Sequence, residues 1–248
     1  MFSPRVALAS LSGRSNAAWA RAAEGYVGCA FLGGIALDPE TRAAAREMTD
    51  RDREEFLPSD PIAFVDAQLA ALTGTEIRPA INVRAASTKP IRRVAAVCEG
   101  YGAICEINAH CRQDEMCAAG AGESLLRETN RLTEQVGAAA TTGAAVSVKV
   151  RAEVPGVDLV DLSRRIERAG ATAIHVDAMD SESVVAEVTD ACDLFVIANN
   201  GVRNRESTAE YLAFGADAVS VARASDDPAV LGRVREATDR WFEREVRA

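Results

Sequence analysis

The chain has 248 residues, 48% hydrophobic but only 5% aromatic, and a formal net charge of −9 at pH 7. That length suits one barrel-sized domain whose core must be built from Ala, Val, Leu and Ile. The acidic balance excludes a broadly basic nucleic-acid surface, and no apolar stretch reaches the roughly 18 residues of a membrane span. No secretory leader is visible, so a cytoplasmic protein with reduced cysteines is expected.

Eight short, near-continuous apolar runs read as strands buried on both faces: 5–11, 26–32, 78–83, 102–107, 145–150, 173–176, 194–198 and 218–221. Helical spacing fills the gaps between them. From residue 157 to 169, for example, Leu159, Leu162 and Ile166 share one face and charges occupy the other. Gly100, Gly170 and Gly215 precede strands 4, 6 and 8, as helix-ending glycines should. Repeated helix–glycine–strand punctuation predicts an α/β chain of right-handed βα units closed into a (β/α)8 TIM barrel, one domain over 1–248. An open doubly wound sheet is disfavoured because no Gly-x-Gly-x-x-Gly follows strand 1. Residues 38–62, charged and Pro-containing, read as an irregular insertion over one barrel end, and 227–248 as a terminal helix.

In such a barrel the chemistry sits at the carboxyl ends of the strands. Strand 3 ends near Asn82 and Arg84, and strand 4 at Asn108, with His110 and Cys111 just beyond. Strand 5 carries Lys149 and Arg151, and strand 6 carries His175 and Asp177. Strand 7 leads into Asn199-Asn200-Gly201 and strand 8 into Arg223. Only two lysines and two histidines occur, and three of these four lie at strand ends. Lys149, inside Ser-Val-Lys-Val-Arg, would need a partner if it faced the barrel, and an anionic ligand would supply one. Gly201 and Arg223 suit phosphate held by the loops after strands 7 and 8. Cys105, Cys111 and Cys117 are spaced six apart, which fits neither zinc nor iron–sulfur ligation, so no metal site is expected.

The segment Glu106-Ile107-Asn108-Ala109-His110-Cys111, followed by Gly120-Ala121-Gly122-Glu123-Ser124-Leu125-Leu126, resembles the tRNA-dihydrouridine synthase family. That family reads Asp-Ile-Asn-x-Gly-Cys-Pro and then Gly-Ala-Gly-x-x-Leu-Leu. Four further matches follow in family order: Val148-Lys149-Val150-Arg151, His175, Ile197-Ala198-Asn199-Asn200-Gly201-Val202, and the run from Gly215 to Arg223. The resemblance covers roughly 80–225 and extends to dihydroorotate and dihydropyrimidine dehydrogenases. The Asn-Ala-His-Cys-Arg pattern is similar to a short archaeal branch without the C-terminal helical domain that grips tRNA.

The resemblance implies FMN at the carboxyl mouth, with Asn82, Lys149, His175, Asn199, Gly201 and Arg223 serving its ring or phosphate. It implies NAD(P)H as electron donor and a pyrimidine-containing substrate, uridine in tRNA, bound by Asn108 and Arg151. Hydride would pass between flavin and pyrimidine C6, with Cys111 handling the proton at C5. His110 stands where the family has Gly and could be the proton donor itself. Three alternatives stay open. One is a dehydrogenase-like enzyme acting on a free small molecule, and another a redox-inactive phosphate- or flavin-binding barrel. The third is a non-flavin barrel using Lys149 as a Schiff base.

Overall fold

The computed structural model describes residues 1–245. The first half runs β1 (Val6–Leu8), α1 (Ala17–Ala22), β2 (Cys29–Ala36), α2 (Pro39–Thr49) and α3 (Pro61–Ala70). It continues with β3 (Arg78–Arg84), α4 (Thr88–Gly100) and β4 (Ile104–Asn108). Three helices follow, α5 (Asp114–Ala118), α6 (Ser124–Arg127) and α7 (Thr129–Ala140), before β5 (Ala145–Arg151) and α8 (Leu159–Arg168). The last part is β6 (Ala173–Asp177), α9 (Val184–Thr189), β7 (Phe195–Asn199), α10 (Arg205–Ala213), β8 (Ala218–Val221) and α11 (Pro228–Glu245). All eight strands are parallel and close in sequence order, β1 pairing with both β2 and β8. This is the (β/α)8 barrel that the punctuation predicts. Of the expected terminal helix, residues 246–248 lie outside the described residues.

Local chemistry explains the elements. In α8, Leu159, Leu162 and Ile166 are buried, and the Asp158 carboxylate caps the start by accepting the N–H groups of Val160 and Asp161. Two strands differ from expectation by three or more residues at an end. β1 is shorter, because the chain turns away after Leu8 into a loop tied by the Ser15 hydroxyl to Leu11. β2 starts at Cys29 and runs through Gly33-Gly34 to Ala36, where the reading placed 26–32. Glycines usually interrupt strands, but here the pairing with β3 continues past them with a register shift between Gly33 and Ile35. Gly100 is the last residue of α4, and Gly102 takes the left-handed turn instead.

Between barrel and helices lies an aliphatic core including Leu32, Ile81, Ile107, Val148, Ile174 and Val219. Inside the barrel the floor is apolar, formed by Phe2, Ala7, Cys29, Phe31, Ala80, Ile104, Ile197 and Ala218. Above the floor the interior turns polar. Asn82 sits beside Glu106, and Glu106 beside Ser147, in strand register. The His175 ring rests on Phe31 with centroids 4.9 Å apart. Residues 50–60, between α2 and α3, run beside the carboxyl mouth, and Phe56 bridges to Ile35 on the end of β2.

Candidate functional site

A cavity of about 950 Å³ opens at the carboxyl ends of the strands. Asn108, His110, Cys111, Lys149, Arg151, Asn199, Gly201 and Arg223 all line it, so the closed barrel brings eight of the ten expected residues together. Its volume is that of a site for a cofactor-sized ligand.

Asn82 and His175 do not line the cavity. Both are fully buried one layer lower, with their polar atoms taken by protein groups, which differs from the cofactor contact expected of them. They surround Glu106. Its Oε1 accepts Asn82 Nδ2 at 2.7 Å, and its Oε2 accepts the Ser147 hydroxyl at 3.1 Å and His175 Nδ1–H at 2.9 Å. His175 Nε2 meets the Ser220 hydroxyl at 2.8 Å, and Ser220 in turn accepts Asn199 Nδ2 at 2.8 Å. Burial works to raise the Glu106 carboxyl. The charges of His175 and Lys149, with the hydrogen bonds from His175 and Asn82, outweigh it and hold Glu106 below its ordinary value. Burial pushes His175 down, against the pull of the Glu106 carboxylate.

Lys149 stands above this network. It is 4% exposed and makes no hydrogen bond or ion pair among the described residues. Burial lowers its pKa, and the nearby Glu106 and Asp177 carboxylates oppose that loss of charge. A buried ammonium facing a cavity without a partner is costly, and an anionic ligand would remove the cost.

The turn after β4 is organised by Asn108. Its Nδ2 donates to Asn82 at 2.9 Å, while its Oδ1 accepts the main-chain N–H groups of His110 at 3.1 Å and Cys111 at 2.9 Å. The Glu123 N–H holds the Cys111 carbonyl at 2.8 Å. Gly122 passes so close that a Cβ would lie 2.3 Å from that oxygen. Glu123 also accepts Arg151 at 2.8 Å. The thiol is thus presented to the cavity by a turn with few degrees of freedom. His110 donates Nε2–H to Asp177 across the mouth, and Asp177 also accepts Asn200 Nδ2 at 2.9 Å. Burial would raise the Asp177 carboxyl, but the His110 hydrogen bond and the charges of His110 and Lys149 bring it down to about 2. Burial in the mouth also lowers His110, against the pull of Asp177.

On the opposite arc, Asn200 and Gly201 both take positive φ, turning the chain just ahead of α10. Asn204 caps that helix through the Ser207 N–H. Four participants carried no role in the sequence reading: Arg84, Glu55, Ser12 and Glu106. Arg84, at the end of β3, is buried and bonded at 2.7 Å to Glu55 from the 50–60 segment, with Ser12 as its second partner. The signal for Glu106 was present: a lone carboxylate on the face of β4 that two residues later carries Asn108. Glu55 and Ser12 lie in loops and gave no periodic signal. Among the described residues no His, Cys, Asp and Glu cluster fit for a metal is found, and no helix is long and apolar enough to cross a membrane.

Residues 80–247 match the protein family described as dihydrouridine synthase (Dus). The chain is also 26% identical over 231 residues to an uncharacterized protein of Methanocaldococcus jannaschii, a match covering 88% of each. Among solved structures it is similar to a chain of the tryptophan synthase complex from Pyrococcus furiosus. That match has a TM-score of 0.59 and 14% identity, covering 98% of this chain and 97% of the other. It is similar as well to a FabK mutant from Thermotoga maritima, with TM-score 0.59 and 16% identity over 89% of this chain and 61% of that one. At those identities the structural likeness concerns the fold alone.

Proposed function

The chain belongs to the dihydrouridine synthase family, and from that membership and the mouth's geometry we propose an FMN-dependent oxidoreductase that reduces the C5–C6 double bond of a pyrimidine. The observation that carries this reading is Lys149, a buried cation with no hydrogen bond or ion pair among the described residues, on the wall of a cofactor-sized cavity. When bound, FMN supplies hydride chemistry: two electrons and a hydrogen, replenished by NAD(P)H, delivered to C6. The loop after β7 and the start of α10 would hold its phosphate through main-chain N–H groups at Gly201, with Arg223 adding charge. Lys149 would lie against the ring and balance negative charge there. Asn82 and His175 serve at one remove, by holding the Glu106 carboxylate that opposes the loss of charge on Lys149.

On the substrate side, Asn108 and Arg151 would orient the pyrimidine. The proton for C5 is assigned to the Cys111 thiol. His110, its basicity lowered by burial and its Nε2–H committed to Asp177, is the adjacent base rather than the acid. Hydride at C6 and the Cys111 proton at C5 together saturate the ring, and a solvent proton restores the thiol, so that NAD(P)H and one proton are consumed per ring.

The test is the visible absorption spectrum of the purified protein after incubation with FMN and desalting. Flavin bands that bleach with NAD(P)H and return on adding a pyrimidine are expected. A colourless protein refutes the reading.

A further inference from the structure

Charge is distributed unevenly over this protein. The chain as a whole is −9, yet the cavity lining holds eight Arg and Lys side chains against three carboxylates. The rest of the molecule is therefore more acidic than its net charge indicates. Three of the eight cations are already matched: Arg14 by Glu54 and Asp226, Arg84 by Glu55, and Arg151 by Glu123. Besides Lys149, four arginines line the cavity with no ion pair among the described residues. Arg203 and Arg223 stand in the loops after β7 and β8, Arg112 follows β4, and Arg53 belongs to the segment after β2 and α2. In a closed eight-stranded barrel β3 lies across from β7, so the two pairs occupy opposite arcs of the mouth. A single phosphate on the β7–β8 arc accounts for Arg203 and Arg223. It leaves Arg53 and Arg112 facing the same space without a counter-ion.

Both residues sit on held backbone. Arg53 precedes Glu54, whose backbone carbon is pressed against Gly13 at 2.6 Å from where a Cβ would be. It also precedes Glu55, whose side chain is 1% exposed and locked in the ion pair with the buried Arg84. Arg112 follows Cys111, whose N–H and carbonyl are both hydrogen-bonded, to Asn108 and Glu123.

We infer that Arg53 and Arg112 form a second anion subsite, which takes a phosphate or carboxylate carried by a free pyrimidine substrate. The inference rests on the pyrimidine-reducing reading above and narrows it to a small anionic molecule. A polyanionic RNA needs a wide basic surface to gain from counter-ion release, whereas here an excess of cations lines the mouth of a chain whose net charge is −9. A small anion avoids the exterior field and is drawn into the mouth, where clustered like charges focus attraction. Because Arg112 adjoins the thiol, the anionic group arrives on the substrate side of the cavity.

Calorimetric binding to the FMN-incubated protein tests this, with uridine, uridine 5′-monophosphate, uracil-6-carboxylate and unmodified tRNA as probes. At least one of the two anionic small molecules should bind about tenfold or more tightly than uridine, each charged contact being worth roughly that factor. Which one does so distinguishes phosphate from carboxylate. Arg53→Ala and Arg112→Ala should each erase about tenfold of the preference while leaving uridine binding unchanged. Circular dichroism and the flavin spectrum check that these exposed-site variants remain folded. Equal binding of uridine and both anions overturns the subsite, and so does a preference that survives both substitutions. Tighter binding of tRNA than of either small anion, with flavin reoxidation by tRNA, overturns the substrate class while leaving the flavin reading intact. Anion preference in a protein that never takes up flavin overturns the flavin reading alone.

Discussion

Replacing Asp177 with Asn isolates the worth of one mouth carboxylate. Asp177 is 8% exposed, accepts His110 Nε2–H on one oxygen, and accepts Asn200 Nδ2 at 2.9 Å and the Met179 N–H at 3.3 Å on the other. Burial acts to raise its pKa, yet these bonds and the neighbouring positive charges carry it from 3.8 to about 2. A fall of nearly two units corresponds to about 2 kcal/mol of stability at neutral pH, at roughly 1.4 kcal/mol per unit. The folded-state pKa is depressed, so the unfolded chain takes up the proton first. The contribution is complete above about pH 4, roughly halved near pH 3, and lost as the pH falls through about 2. Denaturant unfolding of wild type and Asp177→Asn should therefore differ by about 2 kcal/mol near pH 7 and by about 1 kcal/mol near pH 3. The amide that replaces the carboxylate also turns an NH2 toward other donors, a cost that does not vary with pH. The diagnostic quantity is thus the slope, and a difference that stays constant or widens in acid would refute the reasoning. The variant has a second readout. Without Asp177 nothing opposes the depression of His110, so the acidic limb of the kcat/KM profile should move to lower pH.

Glu106→Gln removes the charged acceptor shared by Asn82, Ser147 and His175, and should cost about 2–4 kcal/mol in denaturant unfolding. A loss below about 1 kcal/mol would mean the network does not hold the barrel interior. Lys149→Met should leave unfolding free energy within about 1 kcal/mol of wild type, because it removes an unpaired buried ammonium. FMN affinity in the same variant should drop at least about tenfold by fluorescence titration, and undiminished affinity would count against the assignment of Lys149. Gly122→Ala places a methyl group 2.3 Å from the Cys111 carbonyl oxygen at φ +63°, and should cost at least about 2 kcal/mol. An unchanged thermal midpoint would show that the turn yields easily.

Much of this site was legible because a strand alternates its faces with a period of two. Once Asn108 is taken to face the barrel interior, Glu106 must face it too, and the same logic joins Ser147, Lys149 and Arg151, then His175 and Asp177. Sequence alone could supply those sets, and the parallel register then stacks them: Asn108 beside Lys149, and Lys149 beside His175. It could not say how deep each side chain lies. That is why Asn82 and His175 read as cofactor contacts, although the structure spends their polar atoms on Glu106 and Ser220. Depth depends on the stagger of the closed barrel, a property of all eight strands at once. Nor could it pair Glu55 with Arg84, 29 residues on, or His110 with Asp177, 67 residues on. Those partners meet only because loops of no periodic pattern return across the mouth. The two long-range pairs are also what separates this mouth from a generic strand-end cluster. One ties the 50–60 segment to β3, the other sets the protonation of the histidine beside the thiol. The chemistry-bearing residue types were therefore readable strand by strand, whereas their division into supports and contacts is a consequence of closure.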